Sequence, residues 1–116
     1  MDLMDRMIKK FMSAMGLRIN IEDTNYSDYK YFVHQRYGTV RIITYIVQVL
    51  NKKNEVIYIV DVNWLVIGGK LKEYNFADGP NPFAPLGFDN DSVEKYLTEK
   101  TRGMAEEWIK IFPARV

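Results

Sequence analysis

The chain holds few groups able to do acid–base or covalent chemistry. His34 is its only histidine, it has no cysteine, and its serines are Ser13, Ser27 and Ser92. An imidazole is the side chain best suited to move protons near neutral pH, but it needs a carboxylate or a nucleophile fixed beside it. Nothing in the sequence places one next to His34. None of the serines lies in a G-x-S-x-G turn. The absent thiols exclude disulfide frameworks, thiolate zinc sites, redox pairs and cysteine nucleophiles. Asp23, Asn25 and Ser27 begin like a calcium loop, yet Asp28 stands where that loop needs glycine and His34 where it needs a bidentate glutamate. Asp89 and Asp91 are spaced to share a cation, but Asp91 is explained as a helix cap. Gly68-Gly69 lacks the Lys-Ser/Thr of a phosphate loop. The expectation is a protein without catalytic set, metal or cofactor, and not an enzyme.

Three groups of residues remain that suit binding. From Tyr29 to Arg41 the sequence YKYFVHQRYGTVR interleaves rings and cations as a single-stranded nucleic-acid platform does, with Lys30, Phe32, His34, Arg36 and Arg41 as its contacts. Alternation along a strand would turn Tyr29, Tyr31 and Val33 away from those cations, and the near-neutral chain lacks the strong basic charge of such binders. Five of the six methionines fall within the first 15 residues. Met4, Met7, Phe11 and Met15 there form an adaptable apolar stripe suited to a protein partner or to a second copy of the chain, as in a homodimer. Tyr45, Tyr58 and Trp64 are placed to line a small-molecule cup between a sheet and helices. Asn81-Pro82-Phe83 also matches the short tripeptide bound by EH domains.

Composition bounds the architecture. The 116 residues are 47% hydrophobic, with 16 Lys and Arg against 15 Asp and Glu. That is one domain, 1–116, large enough to bury a core without a crosslink or a metal. Neutrality hides two blocks. Lys30, Arg36, Arg41, Lys52, Lys53, Lys70 and Lys72 against Glu55 and Asp61 give +5, and Glu73, Asp78, Asp89, Asp91, Glu94 and Glu99 against Lys95 give −5. Adjacent opposite blocks are expected to neutralise each other within the fold. The densest apolar stretches, Val56 to Val60 and Trp64 to Ile67, fall far short of the roughly 20 residues needed to cross a bilayer. The N-terminus does not read as a secretory signal, which leaves the cytoplasm as the default location.

The elements that must position these residues follow from periodicity. Met4, Met7, Ile8, Phe11, Met12 and Met15 recur at helical spacing, with Asp2 and Asp5 near the positive end and Gly16 after the stripe. Leu17, Ile19 and Ile21 then alternate with polar residues as a first strand, and residues 29–36 form a second, ended by Gly38. Val40 to Leu50 is β-branched and aromatic on both parities, as in a central strand covered on both faces. Asn51 to Asn54 turns into Val56 to Leu65, whose apolar face runs Val56, Tyr58, Val60, Val62, Trp64. Gly68-Gly69 supplies a two-residue turn into an edge strand, Lys70 to Phe76, on which Lys70 and Lys72 discourage further pairing. Residues 77–90 form a proline-rich loop anchored by its apolar side chains. One helix starts at Asp91, with Glu94 at capping-box spacing, and carries Val93, Tyr96, Leu97, Met104, Trp108 and Ile111, with a kink or break at Gly103 and an end at Pro113. The predicted fold is α+β: an N-terminal helix, a mainly antiparallel meander of about five strands, and a C-terminal helix packed on the sheet.

Overall fold

A computed structural model describes residues 2–24, 30–34, 36 and 38–111, with the backbone alone given for 30–34. Tyr29, the calcium-like loop's Asn25, Ser27 and Asp28, and Pro113 lie outside the described residues. The fold is the predicted α+β arrangement. Helix α1 (Leu3–Met15) leads into strands β1 (Arg18–Asp23), β2 (Lys30–His34), β3 (Gly38–Leu50), β4 (Val56–Ile67) and β5 (Lys70–Asp78). A short 3-10 turn, Ala84–Leu86, precedes helices α2 (Asn90–Glu99) and α3 (Arg102–Ile111).

All strand pairings are antiparallel. The five strands fill four positions, because β1 and β2 lie end to end along β3. Asp23 stands opposite Tyr45, and Lys30 opposite Ile42. Only Ile43 and Thr44 of β3 separate the two pairings. Just past β1 the Thr24 hydroxyl is 3.0 Å from the Thr44 carbonyl oxygen and donates to it. Gly38 begins β3 rather than ending β2. It pairs with His34 across the hairpin.

Pleating sends alternate residues to opposite faces. Ile43, Tyr45, Val47 and Val49 of β3 share the inner face with Tyr58, Val60, Val62 and Trp64 of β4, and all are buried. Ile8 of α1, Phe83 of the loop, Val93 and Leu97 of α2 and Ala105 of α3 close that core. The other face of β3 is only half-buried along Ile42, Thr44, Ile46 and Gln48, so the double cover expected for this strand is confined to its two ends, at Val40 and Leu50. A register shift between Val49 and Leu50 takes Val56 out of the β4 stripe, and its side chain is exposed.

Each helix shows why it starts where it does. The Asp2 carboxylate accepts a hydrogen bond from the Asp5 N–H at 2.7 Å, filling one of the donors that a helix start leaves bare. In α2 that cap is Asp89 rather than Asp91. Its Oδ1 accepts from the Ser92 N–H at 2.7 Å, and this bond holds its carboxyl below the usual pKa. Tyr96 of α2 donates its hydroxyl proton to Asp5 Oδ1 at 2.6 Å, tying α2 to α1. Lys9 and Lys100 flank the same carboxylate.

The C-terminal helix is two helices. The break lies at Lys100 and Thr101, ahead of Gly103, which sits inside α3 facing open space. Thr98 and Thr101 are both buried there. Thr98 Oγ1 accepts from Asn75 Nδ2 at 2.8 Å and Thr101 Oγ1 from Trp64 Nε1 at 2.7 Å, so two hydrogen bonds pin the break to the sheet. The change of axis turns Ala105, Trp108 and Ile109 to the core and leaves Met104 and Ile111 exposed.

The loop expected over 77–90 is shorter, since β5 runs to Asp78 and α2 starts at Asn90, but it is anchored as expected. Phe83 is fully buried and meets the Phe11 ring edge to face at 6.1 Å. The Asn81 side chain accepts from the Phe83 N–H at 2.9 Å and donates to the Phe88 carbonyl at 2.8 Å. The Asn81-Pro82-Phe83 tripeptide thus spends its aromatic ring on the core. At the loop's start Gly79 has φ +107, and a Cβ there would stand 2.8 Å from the Ile57 carbonyl oxygen. Both the backbone angle and the contact are closed to other residues. Gly79→Ala is expected to cost about 2–3 kcal/mol, measurable as a lowered urea midpoint with unchanged slope.

Candidate interaction surface

The helices pack on the inner face, leaving the outer face to be read residue by residue. Toward Gly38 it is closed, since Val40 and Leu65 are buried. Along its middle it is open. There Ile46 and Ile59 lie half-buried among Thr44, Gln48, Asp61 and Asn63. On β5, which occupies one edge of the sheet, Tyr74 and Phe76 are 52% and 57% exposed. Their rings meet edge to face at 5.0 Å. Tyr74 stands opposite Asn63 and Phe76 opposite Asp61, so the pair stands on a polar stretch of β4 that gives the rings nothing apolar to lie on.

The backbone of β5 completes this surface. Gly68 and Gly69 have φ of 58° and 75°, the two positive angles of a type I′ hairpin. Such a turn closes on a hydrogen-bonded pair, here Ile67 and Lys70. Pairs alternate along an antiparallel ladder, so Lys70, Lys72, Tyr74, Phe76 and Asp78 bond inward to β4. Leu71, Glu73, Asn75 and Ala77 aim their N–H and C=O groups outward. Among the described residues no strand pairs with that edge.

The sequence-derived candidates fall elsewhere. On α1, Met4 and Phe11 pack against the core beside Ile8, whereas Met7 and Phe11 border a shallow apolar depression with Lys10, Ala14 and Leu86. Met15 is exposed at the end of the helix. The methionine stripe is therefore divided between core, depression and solvent.

The nucleic-acid set does not share one face. Lys30, Phe32 and His34 hold register positions opposite Ile42, Val40 and Gly38, while Arg41 stands opposite Tyr31, in phase with the core residues Ile43 and Tyr45. The Arg41 side chain is 5% exposed and Nη2 donates to the Trp108 carbonyl at 3.4 Å. Arg36 is exposed in the turn.

Tyr45, Tyr58 and Trp64 are members of the core cluster with Ile8, Phe83 and Leu97. Burial raises the Tyr45 hydroxyl pKa, with the Asp23 charge adding to it, and that hydroxyl has no hydrogen-bond partner among the described residues. The Trp64 ring receives the Arg102 guanidinium 4.7 Å from its centroid.

Part of the acidic block gathers in one place. Glu73, Asn75, Asp91, Glu94 and Lys95 line one shallow groove between β5 and α2, which brings acidic side chains together. Burial raises the Glu94 pKa, and the charges of Asp91 and Glu73 raise it further. The folded state therefore binds this proton more tightly than the unfolded chain. Its stabilising contribution is full below the ordinary carboxylate pKa and is lost as pH rises through the raised one. Glu94→Gln is expected to raise the melting temperature at pH 7, with the gain shrinking toward pH 4, as read by thermal denaturation across that range.

No group of three or more histidine, aspartate or glutamate side chains among the described residues is arranged to hold a metal ion. No described helix is long and apolar enough to cross a membrane. No family model matches the chain, and neither a curated protein nor a solved structure shows significant similarity to it.

Proposed function

We propose that the protein is a non-enzymatic interaction module that works through self-association or partner binding, using the open part of its outer sheet face and the bare edge of β5. The observation that carries this reading is the exposed Tyr74–Phe76 pair on a strand whose outward backbone groups meet no neighbouring strand among the described residues. Paired aromatic rings are large anchors with few rotamers to freeze, the kind of side chain that dominates protein contacts. An open edge adds directional main-chain hydrogen bonds to them.

The site differs from the methionine stripe of α1 suggested by composition. Ile8, Phe11 and Met4 are engaged in holding α1 on the core, and a partner on that side would meet Leu3 and Met15 at the two ends of the helix and shallow depressions beside Met4 and Met7. The test is a photoreactive phenylalanine analogue placed at position 74, and separately at position 10, in cells producing the protein. The reading expects a discrete covalent adduct from position 74 and none from position 10. A folded protein that gives no adduct from position 74 overturns it.

A further inference from the structure

We infer that the occupant of the β5 edge is a second copy of this chain, paired antiparallel about a two-fold axis that passes through Tyr74. This rests on the interaction reading above and names its partner. The geometry of β5 allows it twice over. The outward-bonding residues are Leu71, Glu73, Asn75 and Ala77. In the proposed register Leu71 meets Ala77 of the second copy and Glu73 meets Asn75, so every outward N–H and C=O finds its counterpart. Tyr74 and its neighbours then fall at the non-hydrogen-bonded positions, where side chains approach most closely.

The side chains fit the same register. Lys70 faces Asp78 of the second copy at both ends of the ladder, Lys72 faces Phe76, and Tyr74 faces its own equivalent. Lys70, which would otherwise guard an edge, thus becomes complementary to the far end of the same strand. Neighbouring registers are poorer. Centring on Glu73 sets two carboxylates against each other. Centring on Asn75 runs the ladder into Gly79, whose φ of +107 lies outside the strand region. Only the Tyr74 centre uses Lys70–Asp78 from end to end.

The absence of native cysteine makes the register directly testable. In a non-hydrogen-bonded pair the Cα atoms lie about 4.5 Å apart, within disulfide reach. Single variants Tyr74→Cys, Lys72→Cys, Phe76→Cys and, as an exposed control, Lys53→Cys are checked for native circular dichroism and then oxidised mildly at micromolar concentration. The inference expects Tyr74→Cys to form a disulfide dimer at least about tenfold faster than Lys53→Cys. Lys72→Cys and Phe76→Cys alone should match the control, while their mixture crosslinks rapidly. In sedimentation equilibrium, Lys70→Asp and Asp78→Lys should each weaken the wild-type dimer about tenfold, and the double variant should recover it. A Tyr74→Cys protein that crosslinks no faster than Lys53→Cys overturns the inference, as does rapid crosslinking between positions 74 and 76 instead. If position 74 nevertheless gives a photo-adduct with a different protein, self-pairing fails while the interaction surface stands. If it gives none, both fail.

Discussion

Trp64→Ala is expected to cost about 3–5 kcal/mol, enough to leave a domain of this size close to unfolding. Trp64 is fully buried at the centre of the inner face, opposite Ile43 on β3 and Glu73 on β5. Its removal takes away the largest fully buried side chain and leaves a void that a close-packed core fills only in part. It also removes the donor to Thr101 Oγ1, which itself donates to the Thr98 carbonyl at 2.7 Å in the break between α2 and α3. The loss should therefore loosen α3 as well as the sheet. Trp64→Phe, which keeps most of the volume but not the donor, separates the two terms and should cost roughly 1–2 kcal/mol less than alanine. Urea denaturation of both variants gives the comparison.

The second large effect falls on association and spares the fold. Tyr74→Asp replaces a half-exposed ring by a carboxylate on a solvent face, and its expected effect on stability is within about 0.5 kcal/mol. In the paired form it sets two carboxylates against each other at the two-fold axis, where the wild type has two rings. Loss of an aromatic anchor costs about 2 kcal/mol or more, and here it is lost from both copies together with the new repulsion. The dimer should weaken at least about a hundredfold. Met7→Asp, on the far side of the core, should leave association unchanged. Sedimentation at several concentrations reads both variants, with thermal denaturation confirming that each is folded.

Much of the fold was legible because local signals agreed with one another. Gly68-Gly69 between two alternating runs specified the β4–β5 hairpin and its register, and the α1 stripe with Asp2 and Gly16 at its ends specified that helix. The break in the C-terminal helix was not legible. It depends on Thr98 and Thr101 being held by Asn75 and Trp64, partners distant in sequence, whereas the local signal, Gly103, lay inside α3. Asp89 and Asp91 both look like caps. Which one serves is set by how the loop anchored at Phe83 enters the helix.

The candidate site was partly legible. Lys70 and Lys72 marked residues 70–76 as an edge strand, but the way the methionine stripe divides between core, depression and solvent follows only from how α1 docks on the sheet. Arg41 was grouped with Lys30 and Phe32 because the phase between β2 and β3 is set by the hairpin joining them, which residue types alone do not fix. Read within β3, Arg41 has the parity of Ile43 and Tyr45, and that is where the chain buries it. The exposed Tyr74 and Phe76 are conspicuous only once the helices are seen to cover the other face. Aromatic residues on a strand are ordinarily core.

Hydrogen exchange along β5 as a function of protein concentration tests the central claim most directly. The amides of Lys72, Tyr74 and Phe76 bond to β4 and should be protected at every concentration. Those of Leu71, Glu73, Asn75 and Ala77 should exchange rapidly in dilute solution and become protected as the protein is concentrated. Exchange of these four at a rate independent of concentration would contradict the account.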